Sequence, residues 1–350
     1  MMMRFTGKMA EKAPPAFPAS LFEQPRFRWP HLFTGPSSSK NALRPGAANR
    51  VWTATLLALA LVLGACSPAE QTASVAYEFE SIDTTVSSRG VAIPVTYVRP
   101  VPREDELFPL VVMAHGHGGT RNEAGGFTRV AEGLAALGVA SIRMDFPGCG
   151  DSTESFQLNT LTNMLDDIQA SRNFALKQSN VDRERVGLFG FSMGGRLVLM
   201  LSSQDKSYKA MATWAPAGAN GADSEVDFLG GKDAYAELKA RATAEGFVPF
   251  TTQWGQDQEL SAQWFADMEN SKPMDSIREF EGPLLVLYGD RDDVVEPRIP
   301  EAVIAAAVNS PEVVRHVVKG ADHGLGLFTD EFELSEEAVA TTVGFLSTRL

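Results

Sequence analysis

Val186-Gly187-Leu188-Phe189-Gly190-Phe191-Ser192-Met193-Gly194-Gly195 joins a short apolar run to a turn in which glycines surround one serine, and Arg196 to Leu201 then continue with helical composition. A strand, a tight turn and a helix in that order are what the G-x-S-x-G pattern requires, and this context separates it from an incidental Gly/Ser turn. The glycines answer a steric need, because a strained turn brings neighbouring backbone so close that side chains collide. Ser192 is thereby predicted to stand at a helix N-terminus, where the partial positive charge favours an oxyanion.

Outward from this turn, the chain alternates short, nearly continuous apolar runs with helix-length segments. The runs are Leu110 to Ala114, Val139 to Met144, Val186 to Phe189, Ala210 to Trp214, Leu284 to Tyr288 and Val313 to Val318. Between them, Phe127, Val130, Ala131, Leu134 and Leu137 fall on one helical face, as do Leu158, Leu161, Leu165 and Ile168. Buried strands separated by amphipathic helices predict an α/β fold with a doubly wound, mostly parallel sheet. Ahead of them, Tyr77 to Val86 and Val91 to Arg99, split by Arg89-Gly90, predict an antiparallel hairpin at one sheet edge. Residues 217 to about 280 exceed what one crossover needs and turn helical in composition, so they read as an inserted helical cap. The cap carries Phe228, Tyr235, Phe247, Phe250, Trp254, Trp264 and Phe265. Those rings either pack the insertion onto the core or line an acyl or aryl pocket.

A serine hydroxyl is a weak nucleophile at neutral pH and needs a base, for which imidazole has a suitable pKa. Of five histidines, His31 lies in the leader and His316 within a strand, leaving His115, His117 and His323. His323 falls in Gly320-Ala321-Asp322-His323-Gly324, a glycine-bounded loop after the last strand, from which an imidazole can reach back to Ser192. A third group must hold the imidazole tautomer and stabilise its cation, and the loop Gly289-Asp290-Arg291-Asp292-Asp293-Val294-Val295 offers three carboxylates. An oxyanion also needs two backbone N–H donors; Met193, the residue after the serine, supplies one. No internal repeat, metal-ligand cluster or cofactor motif is present, and no cofactor is expected.

In the order nucleophile, acid, base, these segments resemble the α/β-hydrolase superfamily, and the likeness spans residues 110 to 324. The family's Gly-x-x-Asp-x-x-Val pattern, matched through Gly289 and Val295, singles out Asp292 and leaves Asp290 and Asp293 as loop or salt-bridge residues. His115-Gly116-His117-Gly118-Gly119 looks like the family's His-Gly-x-x-Gly loop, which makes the main chain of His117 the second oxyanion donor and His115 a structural residue. Asp145-Phe146-Pro147-Gly148-Cys149-Gly150-Asp151-Ser152 resembles the Asp-x-x-Gly-x-Gly-x-Ser loop that shapes the cleft floor, with Cys149 a buried thiol. Together with His115 to Glu123 and the cap, these motifs look most like cinnamoyl or feruloyl esterases and serine aminopeptidase-like hydrolases. His117 and Cys149 depart from the usual pattern. The resemblance implies an ester hydrolase acting on a small-molecule substrate with an apolar or aromatic acyl group. Two alternatives stay open: a peptide or amide substrate, whose amino terminus Asp223, Glu225 or Asp227 would meet, and a non-catalytic surface lipoprotein.

Charge and cysteine placement bear on location. The net charge of −13 is asymmetric: residues 1 to 50 carry eight Lys or Arg against two Asp or Glu, and the remainder sums to −19. So acidic a folded part repels nucleic acid and anionic lipid headgroups. Val51 to Ala65 is the one strongly apolar run, too short to span a bilayer, and it closes with Leu63-Gly64-Ala65-Cys66, which resembles the bacterial lipobox. That reading makes residues 1–65 a leader and signal peptide, Cys66 the lipidated residue, 66–74 a tether and 75–350 the catalytic domain. The protein would then sit in the cell envelope, anchored to a membrane by lipid. An uncleaved anchor and an unlipidated secreted protein are the competing readings. With Cys66 lipidated, Cys149 has no intrachain partner. Oligomeric state has no signature here.

Overall fold

The computed structural model describes residues 76–350; the leader, the apolar run, Cys66 and the whole tether lie outside the described residues. Ten strands and nine α-helices are described. The sheet opens with β1 (Phe79–Ser88) and β2 (Val91–Pro100), an antiparallel hairpin closed by Arg89 and Gly90. Both turn residues have positive φ, 52° and 85°, the handedness a two-residue hairpin turn demands. Arg89 adopts it while its guanidinium pairs with Glu154 and Asp167, fastening the turn to the body of the domain.

β3 (Phe108–Ala114), β4 (Ala140–Met144), β5 (Val181–Phe191), β6 (Tyr208–Trp214), β9 (Leu284–Gly289) and β10 (Val313–Val318) continue the sheet in the order β1-β2-β4-β3-β5-β6-β9-β10. Every pair from β4 onward is parallel. All seven residues of β3 and all five of β4 are buried, which is why these strands read as unbroken apolar runs rather than alternating ones. The helices α1 (Gly126–Ala136) and α9 (Phe332–Arg349) pack together against one face of the sheet, and α2 (Leu161–Ala175), α3 (Met193–Gln204) and α8 (Arg298–Ala306) lie on the other. The α/β-hydrolase-type doubly wound sheet is therefore the observed architecture.

Several local expectations need correction. Leu137 follows the last residue of α1 and is 51% exposed, and Leu158 sits in a 3-10 turn before α2 at 43% exposed; neither joins its predicted face. α1 ends one residue short of Leu137, before the Gly138 turn, and α2 begins three residues after Leu158, at the Thr160 cap, whose hydroxyl accepts the Asn163 N–H. The cap is not purely helical. Between α4 (Asp223–Phe228), α5 (Lys232–Glu245), α6 (Ala262–Asn270) and α7 (Pro273–Ile277) it inserts a hairpin, β7 (Phe247–Thr251) with β8 (Asp257–Ser261). The alternation is visible in Val248 and Leu260, both fully buried among more exposed neighbours.

Candidate active site

Ser192 occupies the turn between β5 and α3 with φ 53° and ψ −113°, a conformation that L side chains rarely adopt. What holds it there is the packing of backbone on backbone. A Cβ on Gly190 would stand 2.3 Å from Gly194 O, one on Gly194 would stand 1.8 Å from Ala114 O, and one on Gly195 would stand 2.8 Å from Pro216 Cα. The Ser192 N–H donates to Trp214 O at 2.9 Å and its carbonyl accepts from Arg196 and Ala217, so the turn is anchored on both sides.

The loops that follow β9 and β10 supply the partners. His323 Nε2 lies 2.9 Å from Ser192 Oγ, and its Nδ1 lies 2.8 Å from Asp292 Oδ2. Asp292 is buried, and its other oxygen accepts the N–H groups of Val294 and Val295 at 3.0 and 2.8 Å, which fixes the carboxylate plane. Gly289 lets the two loops meet, since a Cβ there would stand 2.2 Å from Ala321 O. Asp290 accepts the Gly320 N–H at 2.6 Å and so ties the loops together, while Asp293 faces solvent. The three side chains expected to act together are thus brought together, although 131 and 31 positions separate the bonded pairs.

Met193 is the first residue of α3, so its N–H has no acceptor within the helix and points out of the helix end beside Ser192. His117 lies on the loop after β3 and lines the same cavity as Ser192 and Met193. His115 has both ring nitrogens committed to backbone: Nδ1–H donates to Gly116 O at 2.7 Å, and Nε2 accepts the Phe146 N–H at 3.1 Å. A backbone N–H only donates and a carbonyl only accepts, so the ring is one neutral tautomer, and burial pushes its pKa down to about 4. The His117 ring meets Gln258 Oε1 through Nε2 at 2.8 Å and is likewise held neutral, its pKa lowered by burial to about 4. Gln256 orients that pair, donating to Gly118 O and accepting from Gln258.

A cavity of about 350 Å³ opens at Ser192, within the range of small-molecule sites. Phe191, Phe228, Trp254, Trp264, Val295 and Phe328 give it a mostly apolar wall. The cap aromatics divide their work: Phe228, Trp254 and Trp264 border the cavity, whereas Tyr235 and Phe265 meet edge to face and Phe250 supports Phe228. Phe328 was not singled out by sequence because it sits in a loop with no periodicity.

The remaining candidates have structural work. Asp145 accepts the N–H groups of Arg121 and Asp151 and pairs with the Arg121 guanidinium, bracing the Asp145-to-Ser152 loop. Cys149 is buried beside Asn159, and burial pushes its thiol up to about 12, out of the nucleophilic range. Glu225 borders the cavity, but both its oxygens are bound by the fully buried Arg196 at 2.8 and 3.1 Å, so its charge is engaged rather than offered to a substrate amine. Asp227 lies at the surface 3.8 Å from Arg298, and Asp223 is exposed.

Comparison with known proteins agrees with this architecture. Residues 111–338 match the profile of the alpha/beta hydrolase family. The chain is 24% identical over 247 residues to an uncharacterized 31.7 kDa protein of the traX-finO intergenic region of Escherichia coli, covering 63% of this chain and 84% of that one. It is 34% identical over 116 residues to the quorum-quenching protein AidA of Acinetobacter baumannii, covering 33% of this chain and 38% of that one. Among solved structures, Est1E from Butyrivibrio proteoclasticus with ferulic acid bound superposes with a TM-score of 0.62 at 21% identity, covering 76% of this chain and 98% of that one. At that identity the likeness is one of fold.

Proposed function

Because the chain belongs to the alpha/beta hydrolase family, we propose that it is a serine carboxylester hydrolase that works through an acyl-enzyme formed on Ser192. The observation that carries this reading is the continuous contact from Asp292 to His323 to Ser192, at 2.8 and 2.9 Å. In the mechanism, Ser192 Oγ attacks the ester carbonyl while His323 Nε2 takes its proton. Asp292 keeps the Nδ1–H tautomer and stabilises the imidazolium. The tetrahedral oxyanion is met by the N–H groups of Met193 and His117, each such donor contributing about 10²–10³ in rate. His323 then protonates the leaving alkoxide, and water, activated by the same imidazole, releases the acid.

The aromatic wall favours an apolar or aromatic acyl group, and the ferulic acid bound by the structurally similar Est1E is consistent with that class. The experiment is turnover of p-nitrophenyl esters of short alkyl and of aryl acids, together with labelling by a fluorophosphonate. Ser192→Ala is expected to abolish both; a variant that hydrolyses the ester at the wild-type rate overturns the mechanism. The proposal extends to location: a lipid-anchored envelope protein acylated at Cys66. Mass spectrometry of the protein purified from membranes tests it, and an intact residue 1–65 segment with an unmodified thiol refutes it.

A further inference from the structure

Glu123 is a buried carboxyl group that no step above uses. It follows the loop after β3, and its Oε2 accepts the N–H of Gly116 at 2.8 Å, one residue before His117. Three independent features are built around this contact. First, Glu123, Ala124 and Gly125 run consecutively through positive φ, at 42°, 47° and 83°, and two of these are not glycine. Such backbone is unfavourable for L residues and persists only where the surroundings impose it. Second, Gly119 leaves the slot the carboxyl fills, since a Cβ there would stand 2.7 and 2.8 Å from the two Glu123 oxygens. Third, the loop closes on itself around the carboxyl, with Gly119 N–H donating to Gly116 O and Glu123 N–H donating to Thr120 O, both at 3.0 Å. No protein donor meets the second Glu123 oxygen among the described residues, and no cation neutralises the group, so it is not there as half of an ion pair.

We infer that Glu123, which lines the cavity beside Gly116 and His117, is a positioning residue: by gripping the Gly116 N–H it aims the His117 N–H at the oxyanion, so that removing it lowers turnover without weakening substrate binding. This rests on the ester hydrolase reading of Ser192. The grip needs an acceptor oxygen at the right reach, not a negative charge, and that requirement separates the variants. Glu123→Gln keeps a carbonyl oxygen at the same distance from the backbone. Glu123→Asp keeps the charge but withdraws the oxygens by one methylene.

The test is steady-state kinetics on a p-nitrophenyl ester, with circular dichroism to establish folding. Glu123→Ala is expected to lose about 10² in kcat, the scale of a misaimed donor, with KM changed by less than about threefold. Glu123→Gln is expected to restore kcat to within about fivefold of wild type, and Glu123→Asp to resemble Glu123→Ala. Wild-type kcat in Glu123→Ala, a loss expressed in KM, or rescue by Asp and not Gln would each overturn the inference. Where Glu123→Ala does not fold, the Gln and Asp pair decides alone. A failure of the underlying reading looks different: wild-type enzyme would then resist the fluorophosphonate and Ser192→Ala would still turn over.

Discussion

Replacing Gly194 by alanine drives apart the two surfaces that carry the proposed oxyanion donors, Met193 and His117. The new Cβ would lie 1.8 Å from Ala114 O, 2.5 Å from Ala114 C and 2.6 Å from His115 O, all of them atoms of one backbone segment. Contacts of this kind do not occur below 3.0 Å, so α3 and the start of the His115-to-Gly119 loop must separate by about 1.2 Å. No rotamer relieves the clash. Met193 rides on one of those surfaces and His117 on the other, so the gap between their N–H groups widens by nearly the same amount. A misplacement of about 1 Å costs about 10² in rate, and loss of one donor costs about 10²–10³, so kcat is expected to fall by about 10²–10³. Overpacking adds a stability loss of about 1–3 kcal/mol. The assay is kcat on a saturating short-chain p-nitrophenyl ester, with thermal melting in parallel. Gly133→Ala is the control, because the nearest atoms its Cβ would meet belong to the Val343 side chain, at 2.9 Å, and not to backbone. A folded Gly194→Ala enzyme that kept more than about a tenth of wild-type kcat would refute the reasoning from Cβ geometry to donor placement.

Asp292→Asn keeps one acceptor for Val294 and Val295 but favours the wrong imidazole tautomer, so kcat is expected to drop by about 10⁴ with the melting temperature little changed; near-normal turnover would remove Asp292 from the mechanism. Arg196→Met leaves the Glu225 charge buried and unpaired, which costs about 3–5 kcal/mol in urea unfolding. Adding Glu225→Leu should recover most of that loss, and an unimproved double variant would show that the pair is not the cause. Glu123 has its pKa raised by burial from 4.5 to about 7, so its folded form favours the proton. The stability it contributes is whole below pH 4.5 and is lost as pH rises through 7, a change of at most about 3 kcal/mol. Glu123→Gln should therefore gain stability over wild type at pH 8 relative to pH 5, and parallel denaturation curves at both pH values would contradict the assignment.

How much of this was legible in the sequence depended on whether the information was local. The β5 turn and α3 were, since the glycines around Ser192 and the apolar run before it meet in one window. The loop carrying His323 was found by elimination among few histidines, and the choice of Asp292 over Asp290 and Asp293 came from a family spacing. In the structure Asp290 is spent on Gly320 and Asp293 on solvent, which no local rule encodes. The cap hairpin is not legible in the sequence because Phe247 to Thr251 is only five residues long and contains Pro249, which argues against a strand unless it lies at an edge. α9 is harder to read in the sequence although Ser335, Ala338, Val339, Thr342, Phe345 and Leu346 repeat at helical spacing, because two of its core positions are hydroxyls. One of them, Thr342, accepts the indole N–H of the buried Trp214 at 2.7 Å, a partnership only the folded chain reveals. Glu123 closes the stretch from His115 that carries the family resemblance, but its contact with Gly116 appears only in the folded chain.

The Arg196 guanidinium reaches Gly221 O and Ser224 at the beginning of the inserted segment and Ser271 near its end, besides Glu225. Both stems of the insertion are therefore moored to a single cation one helical turn from Ser192. Such mooring opposes hinging at the base, while the rim of the cavity at the hairpin tip carries Trp254, which is half exposed. Exchange of the rim between related enzymes is then a route to new selectivity that leaves the chemistry untouched, whereas exchange of the whole insertion succeeds only when the four groups that receive this arginine travel with it.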